Sequence, residues 1–123
     1  MMRKEEQRQI NIIAQTHFQL AVAQLPVAAF SYLNKRQLRE AGAKQLKSCQ
    51  AWVWETKDYY VLQSYNTFVA CIEKSTDTLY DVLRTEYGYT ATSAKHISIF
   101  RKCAPYGGYG NGKWGCENCY TAR

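Results

Sequence analysis

The chain has 123 residues, 46% of them apolar and 14% aromatic. That is enough to build one hydrophobic core, too little for two, and too apolar for a disordered chain. A net charge of +6 excludes an acidic mimic of DNA, and the lack of any apolar run near the ~18 residues a membrane span needs excludes a spanning protein. No signal-peptide pattern follows the basic N-terminus, so the expectation is a cytoplasmic protein with no membrane partner.

Charge is unevenly distributed. Residues 1–34 carry +3 and −2, 35–47 carry +5 and −1, 50–90 carry +3 and −6, and 91–123 carry +5 and −1. Two basic blocks flank an acidic middle, a distribution that steers a folded protein toward an anionic partner.

In chain order, Ile10, Ile13, Ala14, His17, Phe18, Ala21 and Leu25 recur at the spacing of one helical face, which predicts a first helix ending before Pro26. His17 falls in that apolar stripe and is expected to be a core residue. A second helix from Pro26 to Gly42 would carry Val27, Phe30, Leu33 and Leu38 inward. Lys35, Arg36 and Arg39 would then share its outer side, followed by Lys44 and Lys47.

From Ala51 the period changes to alternation. The segments AWVWE, YYVLQSY, FVACIEK and TLYDVLR, joined by short turn-forming connectors, predict a four-stranded antiparallel meander over 50–90. Asn66 is the expected site of a positive φ. Thr92 or Ser93 would cap a helix over 92–102 that points Ile97 and Phe100 inward. The expected fold is α+β: N-terminal helices (1–48) on one face of the meander, then the short helix, making one domain over 1–103. A Gly/aromatic/Cys-rich tail over 104–123 follows.

The stretches YYVLQSYNTFVACIE and YTATSAKHISIF together resemble an uncharacterised domain family of small proteins found in bacteriophages, plasmids and related mobile elements. The resemblance covers about residues 52–102. It implies a context rather than a mechanism: transcriptional regulators, nucleic-acid accessories, or inhibitors of host defence of the anti-CRISPR kind.

The tail, CAPYGGYGNGKWGCENC, admits several chemistries. Its G-x-x-x-x-G-K, from Gly107 to Lys113, lacks the Ser or Thr that reaches magnesium and has no following helix, so a phosphate loop is excluded. Cys116 and Cys119 have the C-x-x-C spacing of a zinc site, and Cys103 offers a third thiolate. The fourth ligand would have to be His96, Cys49 or Cys71. Redox chemistry lacks the helix N-terminus or cationic surroundings that lower a thiol pKa. As an alternative to zinc, Tyr106, Tyr109, Trp114 and Tyr120, with Lys113 and Arg123, make either a contact arm for bases and protein pockets or an inert end.

The carboxylates mostly fall at turns and strand ends, and no catalytic constellation emerges. The expected molecule is therefore a non-enzymatic binding protein needing no cofactor, zinc being the one alternative. Its contact surface would combine Lys35, Arg36, Arg39, Lys44 and Lys47 with Lys95, Arg101 and Lys102, and with Tyr106, Tyr109, Lys113 and Trp114 of the tail. Its expected partner is a host protein or ribonucleoprotein effector that it inhibits; a regulator contacting DNA or RNA directly is the alternative. Exposed edges of the meander would suit a homodimer.

Overall fold

A computed structural model of the chain describes residues 3–46, 50–102 and 119–123. Helix α1, Lys4–Ala23, opens with Glu5 and Glu6 in its first turn, where carboxylates complement the helix dipole. It buries Ala14, Phe18 and Ala21, and Leu25 follows them into the core just before Pro26. The small side chains of Ala14 and Ala21 let the helix backbone approach the sheet closely.

The expected second helix is two pieces. Val27–Phe30 form a 3-10 turn, and α2 spans only Lys35–Glu40. Asn34 explains the break: its side chain accepts from the Gln37 N–H while the Gln37 side chain accepts from the Asn34 N–H, a capping box that starts a new helix. Gly42, at φ 102, closes α2 as predicted, with its own N–H on Arg39 and that of Ala43 on Leu38.

The four strands of the meander are present: β2 (Ala51–Glu55), β3 (Tyr59–Ser64), β4 (Thr67–Glu73) and β5 (Thr78–Asp81). Two further strands widen the sheet to six. The two-residue β1, Lys44–Gln45, pairs antiparallel with β2, and β6, Cys119–Thr121, pairs parallel with β5. Both edges expected to be open for dimer pairing are thereby occupied. Between β5 and β6 lie the single-turn α3, Leu83–Glu86, and α4, Ala91–Lys102. Thr90 caps α4, accepting from the Ser93 N–H, in place of the expected Thr92 or Ser93.

Register makes the sheet two-sided. The row Trp54, Val61, Cys71, Tyr80 faces α1, whereas Val53, Leu62 and Ala70 face α4. A bulge in β4 sets Leu62 against Ala70 but Gln63 against Phe68, so Val69 and Ala70 enter the same core. Helices thus cover both faces, where one had been expected. Each fully buried Val, Leu or Ile in these layers contributes about 1.5–3 kcal/mol relative to exposure.

An antiparallel meander also gathers alternate turns at one end. Glu55 and Asp58 of the β2–β3 turn join Glu73 and Asp77 of the β4–β5 turn, with Lys74 2.6 Å from Glu55. The β3–β4 turn, Tyr65-Asn66, lies at the opposite end. The positive φ there belongs to Tyr65, at 55, and not to Asn66.

Candidate nucleic-acid interface

Three large aromatic side chains converge around the β3–β4 turn and stay in solvent: Phe30 is 59% exposed, Tyr32 86% and Tyr65 47%. The 3-10 turn positions Phe30, whose ring meets Phe68 edge-on at 5.8 Å. Tyr32 sits in the extended link between that turn and α2. Two adjoining depressions share Tyr32, Gln63 and Asn66. One, of about 300 Å³, is also lined by Phe30 and Phe68; the other, of about 350 Å³, by Lys35, Gln50, Trp52 and Tyr65.

The turn is built to hold this geometry. Buried Gln63 accepts from the Trp54 indole N–H at 2.8 Å and donates to the Tyr65 carbonyl at 2.8 Å. The Tyr65 N–H donates to the Gln50 carbonyl. A tyrosine is thus kept at a positive φ, a conformation that costs bulky residues energy and persists only where surroundings enforce it.

Behind the turn, Ser64 bonds to His96 Nδ1 at 2.8 Å and to Ser93 Oγ at 3.0 Å. Burial, and after it Lys95, lowers the His96 pKa from 6.5. Although a hydroxyl and an imidazole meet here, Ser64 is 1% exposed, Ser93 0% and His96 4%. Their effect is to fasten α4 beneath the turn, which engages Nδ1 of His96, one of the three residues considered for a fourth zinc ligand.

Of the predicted basic residues, Lys35, Arg36 and Arg39 do share α2. Arg36 pairs with Glu40 at 3.1 Å, while the Arg39 guanidinium lies 5.7 Å from the Trp52 ring centroid, beside the second depression. Lys44, in register with Val53, emerges on the α4 side of the sheet. Lys95 and Arg101 belong to α4 on that same side, so α2 and α4 do not form one continuous surface. Lys47, the Lys102 side chain, Cys49, Cys103, Tyr106, Tyr109, Lys113, Trp114 and Cys116 lie outside the described residues.

Cys119 is in register with Leu79 on the α4 face, whereas Cys71 is buried on the α1 face with its thiol pKa pushed up by burial. The sheet therefore separates two of the expected zinc ligands. Among the described residues no group of His, Cys, Asp or Glu is placed to hold a metal ion. His17, expected in the core, is half-buried at its margin, its ring stacked on Tyr80 at 4.2 Å and its Nδ1 2.9 Å from the Tyr59 hydroxyl. Burial and Glu73 push that hydroxyl up to about 12.

Phe30, Tyr32, Tyr65, Gln50 and Asn66 were not foreseen as contact residues. The available signal was Asn34-x-x-Gln37, whose capping box ends any helix coming from Pro26 and so releases Val27 and Phe30 from the expected inward face.

No helix among the described residues is long and apolar enough to cross a membrane. No curated protein and no solved structure matches the chain. A model of a family of unknown function, DUF8033, matches residues 27–111. That span contains α2, the meander, α4 and the aromatics Phe30, Tyr32 and Tyr65; α1 and β6 lie outside it. Since the match exceeds half of the chain, the protein belongs to this uncharacterised family.

Proposed function

We propose that the protein is a non-enzymatic binding protein that takes unpaired bases of single-stranded nucleic acid onto Phe30, Tyr32 and Tyr65. The observation that carries this reading is the exposure of three aromatic rings around two adjoining depressions with Lys35 and Arg39 at their border. Aromatic faces stack on any base, and cations beside them attract phosphate. The amides of Gln50 and Asn66 line the same depressions and can meet base edges.

The acidic turns at the far end of the sheet favour approach with the aromatic end foremost. The test is fluorescence anisotropy with labelled single-stranded and duplex oligonucleotides. The single strand should bind more tightly, and its affinity should fall about tenfold or more between about 50 and 200 mM salt if Lys35, Arg36 and Arg39 neutralise phosphates. Absence of binding at the lower salt refutes the reading.

A second reading is favoured by the same side chains, because exposed Tyr and Phe beside Arg compose protein-interface hot spots. In the mobile-element setting that the sequence resemblance implies, this face would block a host nucleic-acid-handling defence machine. Capture of one host protein that survives nuclease treatment and is lost in Tyr32→Ala would favour this second reading.

A further inference from the structure

On the sheet face opposite the aromatic surface, a cavity of about 250 Å³ opens between α3, α4 and β6. Three arginines line it: Arg84 of α3, Arg101 of α4 and Arg123, two residues past β6. Arg84 is held over the Tyr89 ring, 4.6 Å from its centroid. The main chain of Arg123 is fixed to α1, with its N–H on Asn11 Oδ1 at 2.9 Å and its carbonyl accepting from Asn11 Nδ2 at 2.7 Å.

Arg101 is the most telling of the three, since its Nε is buried without a hydrogen-bond partner among the described residues. A buried donor left unpaired is costly, more so when charged. Asp81 is the carboxylate that lines the cavity, and its Oδ1 accepts from the Leu83 N–H at 3.0 Å. None of the three arginines forms an ion pair within 4.0 Å among the described residues. Three guanidinium groups therefore share the cavity lining with one acidic side chain, an excess of positive side-chain charge in a partly enclosed space.

We propose that this cavity binds a phosphate group carried on a compact substituent. Guanidinium forks match phosphate oxygens two at a time, and three forks suit the several acceptors of a phosphate better than the two of a carboxylate. The volume lies just below the about 300–1,000 Å³ of drug-sized ligand sites, which fits a phosphomonoester rather than a large cofactor. Nothing in this site depends on the aromatic surface.

Isothermal titration of the full chain at constant ionic strength tests the proposal, using inorganic phosphate, ribose 5-phosphate, and an oligonucleotide with or without a 5′-phosphate. Saturable binding of the phosphomonoester should weaken about tenfold or more in Arg101→Gln, and likewise in the more exposed Arg84→Gln and Arg123→Gln, which keep the test valid if the first variant folds poorly. Asp81→Asn should tighten binding, an effect that a purely structural ion network would not give. Ribose 5-phosphate bound as well as the phosphorylated oligonucleotide marks a free small ligand. A stronger 5′-phosphate effect marks a nucleic-acid end. Binding that is unsaturable, or equal in wild type and all three arginine variants, overturns the site.

Discussion

Gln63 uses both halves of its amide inside the protein, linking the Trp54 indole to the Tyr65 carbonyl and so joining the core to the aromatic surface. Its place in an alternating segment was legible in the sequence; its partners were not, because one comes from the pairing of β2 with β3 and the other from the turn conformation at Tyr65. Replacing Gln63 with Leu keeps the bulk but strands the Trp54 N–H. We expect a loss of about 1–3 kcal/mol in urea unfolding, and an unchanged midpoint would show that this amide is dispensable. The positive φ at Tyr65 was missed for a related reason, since Asn is the residue that adopts it cheaply and Tyr does so only when held.

Among the elements, α1 and the four central strands were legible because hydrophobic period and connector chemistry agree there. β1 and β6 were not: two or three residues carry no period, and their pairing follows from partners distant in sequence. α4 was foreseen as a helix, but not that His96 would fasten it. Because folding lowers the His96 pKa below its ordinary 6.5, the unfolded chain takes up this proton more readily than the folded one. The stability it supports is therefore present above about pH 6.5 and lost as pH falls below that value. Urea midpoints measured from about pH 7.5 to 5.5 should decline in the wild type and flatten in His96→Gln. Parallel curves would assign the pH dependence elsewhere. Asp81, whose pKa burial raises, responds with the opposite sign, because the folded state holds its proton more readily.

For the whole molecule, the linear charge pattern became a spatial one through topology. The acidic middle of the sequence largely collects at the hairpin turns of one end, and the aromatic rings gather at the other. The described cations divide between the faces of the sheet: Lys35, Arg36 and Arg39 accompany the rings, whereas Lys44, Lys95 and Arg101 lie on the other face, where Arg101 and Arg123 meet Arg84. Composition showed an excess of cations, but only the fold shows that they gather in two places. The aromatic surface is tested most directly by the affinity of Tyr32→Ala for a single-stranded oligonucleotide, with circular dichroism confirming an unchanged fold. Loss of one stacked base, about 1–3 kcal/mol, should weaken binding roughly fivefold to a hundredfold. An affinity equal to that of the wild type would contradict the assignment.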